Sequence, residues 1–194
     1  MKKLYIIFII LLSSLIINGR EDKNPLVLIK TEMGNIEVEI FQNKAPVSAG
    51  NFLKCVDEGV YKNSFFYRTV RPDNQPDNEI KIEVIQGGIL EKADNYPPIK
   101  HETTKETGIF HKDGTISYAR NKPGTATTEF FICIGDQPEL DYGGKRNPDR
   151  QGFAAFGRVI KGMDIVREIH MRPADNQMLN PKIKIFNIER LKQG

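Results

Sequence analysis

The stretch FFYRTV, residues 65–70, places one arginine inside a short apolar run. Every residue in it except Arg68 is aromatic or β-branched, which favours a β-strand. A guanidinium is almost never fully buried without a partner. We therefore expect Arg68 to direct its charged end into a cleft or towards a bound group. Two later segments, VIQGG at residues 84–88 and EFFIC at residues 129–133, are predicted to line the same cleft.

Strand patterns also dominate the chain on both sides of this stretch. Apolar runs and period-two alternation predict strands at residues 26–31, 36–40, 64–70, 80–86, 115–120, 129–134, 154–160 and 182–190. Helical spacing predicts one helix from Ala45-Pro46 to Gly59 and a short one at residues 163–169. No alternation of strands with helices is present. The pattern predicts a mainly β fold, a closed eight-stranded antiparallel β-barrel capped by two α-helices.

Three polar segments interrupt the strands, at residues 71–79, 94–111 and 142–151. The first and third are rich in Pro, Asn, Asp and Gly and are predicted to be loops. The first lies between two strands of the expected cleft. We expect it to shape the edge of the cleft and to help select what binds there.

Size and charge restrict the classes of protein that fit. A chain of 194 residues with 39% hydrophobic and 27% charged residues is ordinary for one globular domain. The formal net charge is only +3, with basic and acidic residues interspersed. No nucleic-acid partner is inferred from this charge.

The first residues differ from the rest. Lys2 and Lys3 precede an apolar run at residues 4–17, and Asn18-Gly19 follows. A basic start, a short apolar stretch and a small residue are typical of a secretory signal. We predict a signal peptide at residues 1–19 and one domain at residues 20–194, and therefore an exported, periplasmic or extracytoplasmic protein. An uncleaved membrane anchor is the alternative.

The cysteines and histidines give no sign of a metal site. Cys55 lies in the helical pattern and Cys133 in a very apolar strand, so two buried thiols are favoured over a disulfide. No Cys-x-x-Cys or His/Cys spacing suggests metal ligands. The histidines, at positions 101, 111 and 170, are expected at the surface or behind a site rather than as ligands.

Strand periodicity assigns faces to the cleft residues. Period two places Glu129, Phe131 and Cys133 on one face and residues 130 and 132 on the other. Val84 and Gln86 share a face in the same way. If these faces meet, the cleft has an aromatic floor, an aliphatic wall and an amide that can donate and accept. A plain barrel interior is the alternative interpretation.

Five segments in order, FYRTV at 66–70, VIQGG at 84–88, ISYAR at 116–120, EFFIC at 129–133 and FGRV at 156–159, resemble the motifs of the cyclophilin family. The resemblance covers residues 26–191, nearly the whole chain after the predicted signal. It implies a peptidyl-prolyl cis–trans isomerase that acts on proline-containing polypeptides. It also implies the eight-stranded barrel with two helices, a monomer, and chemistry without a metal or another cofactor.

The resemblance carries site residues over by position. It implies that Arg68 is the catalytic arginine, that Gln86 holds the substrate backbone, and that Phe131 forms the floor of the proline pocket. The other implied substrate-binding residues are Tyr67, Val84, Ala119, Arg120, Glu129, Leu140 and Phe153.

Departures from the family pattern point to a bacterial-type member. Tyr67 stands where eukaryotic members have a histidine, and Phe153 aligns with a second pocket histidine. Glu139 aligns with the tryptophan that many members use to bind cyclosporin. Glu83 aligns with an aromatic residue near the pocket, and Glu129 with a site glutamine.

Glu129 leaves several interpretations open. We expect it to fix Arg68 in position by a charge-assisted hydrogen bond. It could instead partly neutralise Arg68, or lie exposed at the edge of the cleft. Two other functions also stay open, a non-catalytic chaperone or adaptor for proline segments and a small-ligand carrier. Bulky apolar residues on both faces of the strand at 130–134 predict a filled barrel, which disfavours the carrier.

Overall fold

The computed structural model describes residues 23–192, and the predicted signal peptide lies outside them. Within that range no helix combines the length and the apolar character needed to span a bilayer.

A single antiparallel sheet closes on itself. Its strands are β1 Leu26–Thr31, β2 Gly34–Ile40, β3 Ser64–Val70, β4 Val84–Gly88, β5 Thr115–Tyr118, β6 Phe130–Cys133, β7 Ala154–Lys161, β8 Ala174–Asp175 and β9 Met178–Arg190. The strand order is β1-β2-β7-β5-β6-β4-β3-β9-β8, and β1 also pairs with β9. That last pairing closes a barrel of eight strands, with the two-residue β8 attached outside the closure. The predicted fold class is confirmed.

In the described part of the chain three α-helices accompany the barrel, one more than predicted: α1 Pro46–Asp57, α2 Thr104–Thr107 and α3 Met163–His170. The additional helix, α2, is a single turn inside the segment predicted as a polar insert. Thr103 and Glu106 form a reciprocal capping box, and Gly108 ends the turn with φ 67°. The capping residues therefore make a helical turn inside an insert for which the sequence predicted neither a helix nor a strand.

The starts of two strands differ most from the predicted ones. β4 begins at Val84 rather than at residue 80, because the backbone of Ile82 bonds to the side chain of Gln75 instead of to a neighbouring strand. β9 begins at Met178 rather than at residue 182, because its first residues pair with β8. Local side-chain partners and a short hairpin decide both limits.

Aromatic side chains fill the barrel. Phe130 is fully buried and meets the rings of Phe52, Tyr61 and Phe66 edge-on, with centroids 5.6–5.8 Å apart. Phe52 comes from α1, which packs against β7 and β9. The interior is packed with side chains, as expected for a barrel of this size, in agreement with the filled barrel predicted from the sequence.

A second apolar cluster lies on the opposite side of β4 and β6 from this core. It consists of Val70, Ile82, Val84, Phe131, Cys133 and Leu140, with Ala119 and Phe153 packed against it, and is called the cleft cluster below. Phe130 and Ile132 belong to the barrel core instead. The predicted division of faces along β6 is confirmed. Both cysteines, Cys55 and Cys133, are buried free thiols, as predicted.

Candidate functional site

A cleft of about 350 Å³ opens above the cleft cluster. All but one of the residues predicted for the site line this cleft. The lining residues among them are Arg68, Val84, Gln86, Ala119, Arg120, Glu129, Phe131, Leu140 and Phe153. Tyr67 does not line the cleft; it is buried behind Gln86, whose Nε2 donates to the Tyr67 hydroxyl. The fold thus brings together residues from segments that are far apart in the sequence.

A β-bulge turns Arg68 towards the cleft. Both ladders of β3, to β4 and to β9, shift register between Phe66 and Arg68. Strict alternation would place Phe66, Arg68 and Val70 on one face. Because the bulge adds a residue, Phe66 enters the barrel core while Val70 joins the cleft cluster. Arg68 then lies directly opposite Gln86 of β4.

Two glutamines hold the guanidinium of Arg68. Its Nη1 donates to Gln86 Oε1 at 2.8 Å, and its Nε and Nη2 donate to Gln177 Oε1 at 3.0 and 2.5 Å. The Gln177 amide is fixed in turn by donating to the carbonyl of Asn74 at 3.0 Å. Burial lowers the pKa of Arg68, yet a guanidinium starts so far above neutrality that it stays charged. The cation is therefore ordered by neutral acceptors.

Glu129 reaches Arg68 only through other side chains, so the expected direct hydrogen bond between them is wrong. Tyr67 donates its hydroxyl to Glu129 Oε2 at 2.5 Å, and Gln86 Nε2 donates to the Tyr67 oxygen at 2.7 Å. Glu129 Oε1 accepts from the backbone N–H groups of Ile89 and Leu90. These bonds direct the carboxylate towards the end of β4 and away from the guanidinium.

Gly88 creates the space for this arrangement. It has φ +147°, and a Cβ at this position would overlap the Glu129 carboxylate. Burial and the charge of Glu129 together raise the pKa of Tyr67 far above its usual value. The phenol therefore stays neutral and keeps its proton as the donor to Glu129. The resulting chain runs Glu129, Tyr67, Gln86, Arg68.

The floor of the cleft is a stack of rings. His111 lies parallel to Phe131 at 5.9 Å, and Phe153 meets Phe131 edge-on at 5.3 Å. His111 is buried, with Asp141 Oδ1 2.7 Å from its Nδ1 and Ser117 Oγ 3.0 Å from its Nε2. These two contacts fix the plane of the imidazole, so His111 supports Phe131 from behind, in keeping with the expectation for the histidines.

Arg120 closes one side of the floor. Its guanidinium lies 5.1 Å from the centre of the Phe153 ring and bonds to both carboxylate oxygens of Asp149 at 2.8 Å. Nε and Nη2 also donate to the carbonyl of Gly152. Arg120 is therefore committed to holding Phe153 and the loop that carries Asp149.

Two residues that align with aromatic positions of the family motifs, Glu83 and Glu139, do not line the cleft. Glu83 is not among the lining residues and lies with a carboxylate oxygen 3.9 Å from His170 Nε2, while its neighbour Ile82 lines the cleft. Glu139, at the position of the family's tryptophan, accepts from the backbone N–H of Lys145. Ile82 supplies the apolar surface because residues 80–83 leave the strand pattern.

Sequence reasoning missed several residues that line or support the cleft: Ile82, Asn121, Thr127, Arg146, Asn147 and Gln177. Gln177 lies in the β8–β9 turn, where Asn176 has φ 57°. The turn composition was visible, but no local pattern indicates that this amide contacts Arg68. Among the side chains that the structure describes, no group of three His, Cys, Asp or Glu residues is arranged to hold a metal ion.

Comparison with known proteins points in one direction. Residues 26–190 match the family model described as cyclophilin type peptidyl-prolyl cis-trans isomerase/CLD. A peptidyl-prolyl cis-trans isomerase of Acinetobacter baylyi is 34% identical over 93% of each chain. Peptidyl-prolyl cis-trans isomerase A of Dickeya dadantii is 35% identical, over 77% of this chain and 73% of its own.

Solved structures agree on the fold. A cyclophilin type peptidyl-prolyl cis-trans isomerase of Cryptosporidium parvum aligns with TM-score 0.71 and 22% identity, over 88% of this chain and 99% of its own. Its structure in the presence of the dipeptide Ala-Pro aligns with TM-score 0.69, over 87% and 99%. At this identity the likeness concerns the barrel alone.

Proposed function

Because this chain belongs to the cyclophilin-type peptidyl-prolyl cis–trans isomerases and catalyses rotation about X-Pro bonds, we propose that Arg68 drives the rotation, with Gln86 and Phe131 holding the substrate. The assignment rests on the position of the Arg68 guanidinium and on its hydrogen-bond partners. Its guanidinium lines the cleft, is held by two neutral amides, and has no carboxylate within 4 Å among the side chains that the structure describes.

The reaction needs charge placed at one atom. Rotation is opposed by about 18–20 kcal/mol because the C–N bond has partial double-bond character. As the bond twists, lone-pair density returns to the prolyl nitrogen. A cation that donates to this nitrogen stabilises the twisted state more than either planar state, which is the requirement for catalysis. Arg68 supplies this cation in an arrangement that needs little reorganisation.

The remaining groups hold the two sides of the bond. Phe131, with Val84 and Leu140 of the cleft cluster, buries the proline ring. Gln86 anchors the backbone on the other side, and its own amide is oriented by Tyr67.

The natural substrates we propose are proline-containing segments of exported proteins, whose folding the enzyme assists. The basic and apolar start of the chain supports export, and the solved relative obtained with Ala-Pro supports the substrate class. A non-catalytic chaperone on the same fold is not favoured, since the curated relatives are named as isomerases.

The role of Arg68 is tested by comparing Arg68→Ala with wild type in an NMR exchange assay on an X-Pro peptide. Export is tested separately, by fractionation of cells that make the full chain. Loss of one donor to the transition state is expected to lower kcat/KM about 100-fold or more. Circular dichroism should be unchanged, and the protein should fractionate outside the cytoplasm. Arg158→Ala is the matched control, because Arg158 lies on β7 paired with Glu39. Equal turnover in the Arg68 variant and wild type would refute the assignment.

A further inference from the structure

A second arginine of the cleft has an unused edge. Arg68, Arg120 and Arg146 all line the cleft. All three guanidinium nitrogens of Arg68 donate hydrogen bonds to Gln86 or Gln177. All three of Arg120 donate to Asp149 or to the Gly152 carbonyl. Arg146 differs from both in what it leaves free.

Arg146 is anchored through one nitrogen only. Its Nη1 donates to Gln75 Oε1 at 3.0 Å and to the carbonyl of Ile80 at 2.5 Å. Its Nε and Nη2 make no hydrogen bond within the part of the chain that the structure describes, and no carboxylate there lies within 4 Å of it. The side chain is half-buried. A guanidinium presents two parallel N–H donors along such an edge, which match the two oxygens of a carboxylate.

The anchor of Arg146 is rigid. Gln75 is only 1% exposed, and its Nε2 donates to the carbonyls of Arg71 and Ile82 at 2.8 and 2.7 Å. Gln75 belongs to the polar insert at residues 71–79, and Arg146 to the insert at residues 142–151. The two inserts therefore meet through this contact and hold the free edge of Arg146 in place before any ligand arrives.

Arg146 lies at the proline-pocket end of the cleft. Its partner Gln75 bonds to Ile82, and Ile82 packs with Val84, Phe131 and Leu140 in the cleft cluster. The acidic residues of the cleft do not compete for it. Glu129 is bonded to Tyr67 and two backbone N–H groups, and Asp94 is exposed in the segment beside Leu90 at the Glu129 end.

Asn147, the residue after Arg146, also has a side-chain donor without an acceptor among the described residues. Asn147 also lines the cleft, and its Nδ2 is buried without a hydrogen-bond partner in the described chain. Buried donors are normally satisfied. Adjacent residues of one insert thus both carry donors that lack acceptors, which suits an anionic ligand group better than a cationic or apolar one.

We propose that Arg146 is a specificity-determining residue that binds the side-chain carboxylate of an Asp or Glu following the proline in the substrate. This inference rests on the proposed function, because it concerns the same cleft. The carboxylate would pair with the Nε and Nη2 edge while the ring occupies the pocket over Phe131. The enzyme would therefore turn over Pro-Glu segments faster than their neutral counterparts.

The test measures kcat/KM by NMR exchange for three C-terminally amidated peptides. The first has Glu after proline and the second has Gln there. The third keeps this Gln and differs from the second only by a Glu two positions before proline. A partly buried bidentate pair is expected to favour Glu over Gln after proline about tenfold at low salt. Added salt should reduce the ratio. Glu on the other side should give no such preference.

Variants assign the preference to Arg146. Arg146→Gln should bring the Glu-to-Gln ratio to about one, and Arg146→Lys should keep part of it, since charge is retained and the fork is lost. Lys145→Gln removes a charge from an exposed neighbour on the same insert and should leave the ratio as in wild type.

The outcomes separate this inference from the proposed function. If wild type accelerates the neutral peptide but shows a ratio near one, the inference is overturned while the isomerase mechanism stands. If Arg146→Gln slows both peptides equally and keeps the ratio, Arg146 has only a structural role and the inference is also overturned. If no peptide is accelerated, the proposed function itself fails.

Discussion

At the scale of single residues, the cleft orders a cation without neutralising it. A carboxylate partner would fix Arg68 equally well but would neutralise part of the charge that we propose acts at the prolyl nitrogen. Gln86 and Gln177 accept from three nitrogens of the guanidinium and carry no charge. Glu129 is separated from Arg68 by Tyr67 and Gln86, and it orients Gln86 through the hydroxyl of Tyr67.

Gln177→Leu tests this ordering role. The variant removes the acceptor for two Arg68 nitrogens, so the guanidinium becomes mobile while the pocket over Phe131 is intact. We expect kcat to fall about tenfold, within the range for misplaced catalytic groups, with KM nearly unchanged. The Nε–H resonance of Arg68 should broaden. Gln42→Leu, at an exposed glutamine, is the control. An unchanged kcat for Gln177→Leu would show that Gln86 alone orders Arg68.

At the scale of elements, β6 serves two structures at once. Phe130 and Ile132 face the barrel core, while Phe131 and Cys133 face the cleft cluster. Successive side chains of a strand point to opposite faces, so neighbours in sequence have separate roles. The enclosed ring of Phe130 contributes to folding, and the ring of Phe131 forms the surface on which we propose that proline packs.

Substituting each phenylalanine by alanine should separate these roles. Phe130→Ala leaves an enclosed cavity among aromatic rings, and we expect it to lower the free energy of unfolding by about 3–5 kcal/mol. Phe131→Ala opens into the existing cleft, so its stability cost should be smaller while KM for an X-Pro peptide rises. Urea unfolding and the exchange assay give the two readouts. A larger stability loss for Phe131→Ala would contradict the division of faces.

At the scale of the whole molecule, ion pairs attach the surface loops to the barrel. The Arg120 side chain is 1% exposed and pairs with Asp149, which lies on the insert at residues 142–151. The hydrogen bond from Arg120 lowers the pKa of Asp149 to about 2. In the unfolded chain an aspartate titrates near pH 3.9. The lower folded pKa means that this pair stabilises the fold above about pH 4 and that the contribution is lost as the pH falls towards 2.

Asp149→Asn isolates this contribution. We expect the variant to be less stable than wild type at pH 7, because Arg120 is left buried without its counter-ion. The difference should shrink between about pH 4 and pH 2, where wild-type Asp149 becomes protonated. Urea midpoints across this range measure it, and other titrating carboxylates cancel in the comparison. A difference that stays constant with pH would show that the charge of Asp149 contributes nothing.

Much of the cleft could be predicted because its main motifs are local. Three local patterns each predict a strand with one face towards a site: the β-prone run around Arg68, the pair Val84 and Gln86, and the alternation around Phe131. The resemblance of the ordered segments indicated how these strands combine. The predicted direct contact between Glu129 and Arg68 failed because the path of the carboxylate depends on Gly88 and on the buried Tyr67, which belong to other strands.

The strands and their two faces could be predicted from the chain alone, because period-two patterning is a property of neighbouring residues, and five ordered segments indicated the family. Which side chains meet depends on the folded arrangement of the strands and inserts. Gln177 bonds to Arg68 across 109 residues, and Arg146 bonds to Gln75 across 71. Those contacts depend on barrel closure, on the bulge that turns Arg68 into the cleft, and on the meeting of two inserts. No local pattern encodes them, since hydrogen-bond partners are set by strand order and register.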